Sequence, residues 1–192
     1  MGRRIEFRTG AIFAGALALL ILPLSLFLSF LVAGAIHEFC HYLALRWAGV
    51  NIYKISIGPF GASMEAESMD PGREVLSALA GPVGSYLLVL GYRMFPMIAL
   101  CAFIQGCFNM LPLYPLDGGR ILKGILDILK IPRREQICTV IGYLTALSIW
   151  GACLYGFLIW NLGYGVLFLG AVPFLRVFPR KTPCKEGFFG VQ

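Results

Sequence analysis

The chain of 192 residues has only two histidines, and they stand four apart in His37-Glu38-Phe39-Cys40-His41. On a helix, positions i and i+4 lie about 40° apart on one face, so both imidazoles can reach one Zn²⁺ at roughly 2.0–2.1 Å. Glu38 then stands beside the metal rather than on it. From there its carboxylate can take a proton from the water that the ion activates and hand it to a leaving amine. A catalytic zinc needs a third protein ligand and one open position, and the expectation is one Zn²⁺ per chain. A helical histidine pair can also simply hydrogen-bond a neighbour. The apolar setting argues against that, because a polar group inside a membrane span calls for a partner or a function.

Asp117 is the candidate third ligand. It sits in Asn109-Met110-Leu111-Pro112-Leu113-Tyr114-Pro115-Leu116-Asp117-Gly118-Gly119, where the prolines and the glycine pair are expected to break a helix and free backbone groups. Irregular backbone at membrane depth is tolerated where it lines a cavity. The competing role for Asp117 is a helix cap or turn. Glu65, Glu67 and Glu74 are rival ligands, read more simply as solvated loop charges. The six cysteines (40, 101, 107, 138, 153, 184) show no metal or disulfide spacing and read as small packing residues.

The elements that position these residues must lie in a membrane. Apolar residues make up 58% of the chain and charged ones 14%, and the mean hydropathy is +0.79. A soluble domain needs roughly 25% charged residues to cover its surface, so a soluble module, a disordered chain and a nucleic-acid-binding face are all excluded. The expected fold is an all-α polytopic membrane protein, a single domain over residues 1–192 with its core at about 25–125. Its six expected spans lie near 7–22, 25–47, 74–94, 96–115, 137–158 and 163–177. The run from Ala11 to Ile36 exceeds the roughly 7–15 residues of a signal core and is kept as membrane structure. Between spans two and three, Tyr53–Ile57 and Ala62–Glu67 alternate apolar and polar around Gly58-Pro59-Phe60-Gly61, which predicts a β-hairpin at about 52–67. Lys and Arg bunch at the N-terminus, near the hairpin, at 120–134 and in the tail, with Arg93 apart. By the positive-inside rule both termini and the hairpin are cytoplasmic, and spans two and four bring the histidines and Asp117 to one depth near that face.

On these residues the sequence resembles the site-2 protease family of intramembrane zinc metalloproteases. The resemblance rests on His37 to His41, Gly58-Pro59-Phe60-Gly61, Ala80-Gly81-Pro82 and Asn109 to Gly119, over about residues 25–125. Within the family it is most similar to the bacterial subgroup that processes a membrane-tethered pro-sigma factor during endospore formation. The resemblance implies a three-helix catalytic core, zinc held by His37, His41 and Asp117, and water activated by Glu38. It also implicates Asn109 and Pro115 in shaping the substrate site. Two departures stand out. Cys40 replaces the small residue, often Gly, common before the second histidine, and no C-terminal nucleotide-binding regulatory domain is expected before Gln192.

The function expected is hydrolysis of a peptide bond in a membrane-tethered protein, in a bacterial cytoplasmic membrane. An inhibitory membrane protein is a further possible partner, and no nucleic acid is expected. The alternatives are a zinc membrane protease of another family and a non-catalytic scaffold or transporter-like protein with a vestigial zinc site. Intact Glu38 argues against the last, since a binding site has no use for a base. A helical substrate must unwind to be cut, and its freed backbone needs partners in lipid. The strand Ala62–Glu67, tested at Met64, is a candidate edge for such a segment by strand addition, with Asn109 opposite. The hairpin could instead only cap span two. Substrate identity, oligomeric state and the role of Cys40 are not encoded.

Overall fold

The computed structural model of the chain describes residues 4–7, 9–58, 61–160, 163, 165–167, 170–171 and 189–191. It is mostly helical, in the order β1 (Arg4–Phe7), α1 (Thr9–Ile21), α2 (Leu24–Trp47), β2 (Ile52–Gly58), β3 (Gly61–Ala66), α3 (Pro71–Val89), α4 (Pro96–Asn109), α5 (Asp117–Ile128), α6 (Arg134–Trp160) and β4 (Phe189–Val191). Two compact units divide it: Met1–Asn109 with Lys185–Gln192, and Met110–Cys184.

In the first unit α2, α3 and α4 pack on one another. Helix α2 buries Ala33, His37, His41 and Leu45, a stripe repeating every four residues, while Phe30, Leu31, Phe39 and Leu43 are exposed on its other faces. An apolar exterior of this kind suits lipid rather than water. The helix stops at Gly49, whose φ is +72°. There the Gly49 N–H donates to Arg46 O at 3.1 Å and the Val50 N–H to Leu45 O at 3.0 Å. This paired closure satisfies the last carbonyls, and it brings Val50 onto Leu45 in one apolar cluster with Ile52, Met64 and Ala66. The end of α2 and the sheet therefore share a core. Helix α3 opens with Asp70, whose side chain accepts from the Gly72 N–H at 3.2 Å, and with Pro71 in the first helical position, where its missing donor costs nothing.

Strands β2 and β3 pair antiparallel, from Ile52↔Ala66 to Gly58↔Gly61; Pro59 and Phe60 of the expected turn lie outside the described residues. The sheet is larger than the hairpin read from the sequence. Its order is β1-β2-β3-β4, with β1 parallel to β2 and β4 antiparallel to β3. These added strands are four and three residues long and join partners remote in sequence, so no local alternation marks them.

In the second unit, Pro112 and Pro115 sit in irregular backbone between α4 and α5, and the Tyr114–Pro115 peptide is cis. Proline lacks an N–H and biases its predecessor away from the helix, so α4 ends at Asn109 rather than near Pro115. Gly118-Gly119 does not break a helix. It lies in the first turn of α5, where a Cβ on Gly118 would strike the Met110 and Leu111 carbonyls and one on Gly119 would strike the backbone of Leu113 and Tyr114. Leu113, Leu116 and Ala146 pack together, joining this segment to α6.

Among the described residues two helices are long and apolar enough to cross a membrane, α2 and α6. Helices α1 and α4 are apolar but have 13 and 14 residues, about 20 Å at 1.5 Å per residue. Most of the expected sixth span, 163–177, lies outside the described residues.

Candidate metal centre

The buried stripe of α2 carries both histidines inward, with His37 4% and His41 2% exposed. Their Nε2 atoms face each other at 3.2 Å, and the rings meet edge to face at 82°. Each Nδ1 is tied to α3: His41 Nδ1 lies 2.7 Å from the Ser77 carbonyl oxygen, and His37 Nδ1 lies 2.8 Å from Ser85 Oγ. A carbonyl oxygen only accepts, so the proton of neutral His41 sits on Nδ1 and its Nε2 presents a lone pair. This is the second anchor that metal-ligating histidines commonly have.

The pair fits a zinc ion. Two nitrogens held tetrahedrally at about 2.05 Å stand about 3.3 Å apart, against the 3.2 Å observed. Opposite them α3 offers Gly81. A Cβ there would collide with His41 Nε2 and come within 2.7 Å of His37 Nε2, so the missing side chain keeps clear the space into which both nitrogens point.

Glu38 is half-buried and about 100° around α2 from His37, off the stripe and beside it. Asn109, the last residue of α4, brings its side-chain amide nitrogen within 3.3 Å of His37 Nε2. Cys40 packs on α3: a Cβ on Gly84 would collide with its Sγ, so the thiol fills a helix contact.

Asp117 starts α5 and is 3% exposed, with Arg120 Nη1 3.6 Å from its Oδ1. Arg120 is equally buried, not the loop cation its place among basic residues suggests. In the first unit His37 and His41 each offer a ligand atom for a metal ion, and in the second unit Asp117 offers a buried carboxylate. Pro115 is half-buried in the segment before α5. The rivals separate: Glu67 accepts from Asn51 Nδ2 at 3.2 Å on an exposed surface, whereas Glu74 is buried in the first turn of α3. The Met64 side chain is 3% exposed in the cluster around Leu45, and its backbone lies between β2 and β4, in register with Ile55 and Val191. It offers neither a side chain nor a free edge. Reasoning from the sequence missed Ser77, Ser85 and Arg120; the signal for the serines is their spacing of eight with Gly81 midway, which puts all three on one face of α3.

Comparison with known proteins agrees with this chemistry. Residues 70–149 match the model of peptidase family M50, a stretch that begins after the histidine motif. A zinc metalloprotease of Methanocaldococcus jannaschii is 30% identical over 116 residues, which is 53% of this chain and 34% of that protein. A Synechocystis protein named as a candidate zinc metalloprotease is 34% identical over 106 residues, 47% of this chain and 28% of its own. The chain thus spans about a third of the length of these relatives. The solved structure of a site-2 protease from Methanocaldococcus jannaschii superposes with a TM-score of 0.59 at 22% identity, covering 92% of this chain and 90% of that one, a likeness of fold. The family match thus covers residues 70–149, the relatives that the chain resembles are named zinc metalloproteases, and the similar fold is that of a site-2 protease.

Proposed function

We propose that the chain is an intramembrane zinc endopeptidase that cuts a membrane-tethered protein near the cytoplasmic face of a multi-pass fold. The observation that carries this reading is the facing pair of Nε2 atoms on α2, 3.2 Å apart, with Glu38 one residue from the first. On the strength of the sequence resemblance, His37, His41 and Asp117 would hold one ion. A zinc ion in that place supplies Lewis acidity and a water of lowered pKa.

The rest is the work of the chain. Glu38 takes the proton of the attacking water and returns it to the amine nitrogen of the departing segment, so one carboxylate serves as base and then acid. Asn109, with its amide beside His37 Nε2, is placed to hold the polar backbone of an unwound substrate, and Pro115 keeps the segment before Asp117 out of a helix. The Ser77 and Ser85 anchors hold the imidazoles in place through the cycle. On the strength of the sequence resemblance, a membrane-tethered pro-sigma factor is the substrate to try first.

Glu38→Gln keeps the size of the side chain and removes the base. Cleavage of a membrane-tethered substrate should fall by about 10²–10⁴-fold while elemental analysis finds zinc unchanged. In parallel, His41→Ala and Asp117→Ala should each lose the metal. Wild-type turnover by Glu38→Gln, or full zinc in both ligand variants, would end this reading.

A further inference from the structure

We infer that α3 is the positioning element of the metal site, with Ser85 fixing the ligating form of His37 and Gly81 reserving the ion's place. The inference rests on the proposed zinc site and goes beyond it, because neither residue touches the reacting atoms.

For His37 to ligate through Nε2, its proton must reside on Nδ1. Ser85 Oγ, 2.8 Å away with the serine fully buried, is placed to accept it. His41 has the Ser77 carbonyl for the same purpose, at 2.7 Å. The two anchors differ in kind. A main-chain carbonyl survives any substitution at 77 and holds His41 in one tautomer permanently. The Ser85 hydroxyl both donates and accepts, so His37 depends on one replaceable side chain. Without it, a buried Nδ1–H is left without this acceptor, or the proton moves to Nε2 and blocks ligation. Groups of this kind behind metal-bound histidines typically contribute 10–100-fold in metal affinity.

Gly81 lies midway between these serines, four residues from each, on the same face of α3. A methyl group there would occupy the space before His41 Nε2 and His37 Nε2. The neighbours that would have to yield are the ligands themselves, held at both Nδ1 atoms by α3. Helix α3 thus brings two anchors and one void to the site in a single run of nine residues.

The test measures zinc affinity by chelator competition on the full chain in detergent, with unfolding midpoints as the control for folding. Ser85→Ala should bind zinc about 10–100-fold more weakly at a nearly unchanged midpoint. Ser85→Thr, which keeps the hydroxyl, should recover most of that loss, whereas a purely packing role for Ser85 predicts no such recovery. Gly81→Ala should bind no stoichiometric zinc. Wild-type affinity in Ser85→Ala, or failure of Ser85→Thr to recover a loss seen in Ser85→Ala, overturns the assignment of Ser85. Wild-type affinity in Gly81→Ala overturns the reserved space. His41→Ala separates the two levels. If it still binds zinc like wild type, the metal site itself is wrong. If it loses zinc while Ser85→Ala does not, only the positioning role falls.

Discussion

At the scale of single residues, the second unit holds a buried ion pair whose two members have unequal alternatives. Asp117 and Arg120 are both 3% exposed, one helical turn apart, with 3.6 Å between Oδ1 and Nη1. Arg120 Nη1 has no hydrogen-bond partner among the described residues, so its contact with Asp117 is one of charge rather than a directed bond. Replacing it removes the arginine from a buried ion pair, and breaking such a pair typically costs about 3–5 kcal/mol. Arg120→Gln should therefore lower the unfolding free energy by about 3 kcal/mol, read from denaturation in detergent. A loss below about 0.5 kcal/mol, the range of ordinary surface substitutions, would show the pair to be solvated. The sequence reveals Asp117 but not its partner: Arg120 lies in a run with Lys123, Lys130, Arg133 and Arg134 and reads as one more loop charge. The histidine pair is legible because both ligands lie on one helix, where spacing alone sets the geometry. Ser85 and Gly81 are not, because their role depends on the register of α3 against α2, which no local pattern encodes.

At the scale of elements, the sheet decides what the hairpin can do. Alternation in Tyr53–Ile57 and Ala62–Glu67 marks two strands, but whether an edge is free depends on chain far away. Among the described residues β3 is flanked on both sides, with β4 in register from Met64 to Ala66. A proline at 64 would take a backbone donor out of a doubly paired strand, and would report on folding rather than on substrate binding. The side chain is the sharper probe. Met64 is packed with Leu45, Val50, Ile52 and Ala66, so Met64→Ala should cost about 2–5 kcal/mol and Met64→Leu less than about 1.5. Per folded molecule, cleavage by Met64→Leu should equal wild type. A large loss of cleavage at unchanged stability would return Met64 to the substrate site.

At the scale of the whole molecule, charge placement makes a claim that helix lengths alone do not. Among the described residues only α2 and α6 are long and apolar enough to be counted as spans by themselves, and α1 and α4 need thinning of the bilayer or polar flanks to cross about 30 Å. The basic residues are more decisive. Arg46, Lys54 and Arg73 cluster between α2 and α3, and Arg120 to Arg134 lie between α4 and α6, whereas the turn from α3 to α4 holds Arg93 alone. Positive charge resists transfer across the membrane during insertion, so the positive-inside rule predicts the first two regions in the cytoplasm and the third outside. Three single cysteines test this in intact cells with a membrane-impermeant thiol reagent, each measured against the unsubstituted chain. Arg93→Cys, at an exposed position, should label from outside. Lys130→Cys should label only after lysis. So should Lys54→Cys, which removes no more than a partly exposed pair with Glu6, a contact of the kind worth about 0–1 kcal/mol. If Lys54→Cys labels from outside, the sheet and the end of α2 that bears His41 face the exterior, and cleavage must occur at the opposite membrane face. If Arg93→Cys and Lys54→Cys label alike, α3 does not cross. The buried stripe it turns toward the histidines would then belong to a helix lying on one side of the bilayer, and the metal site would be open to water rather than enclosed by lipid.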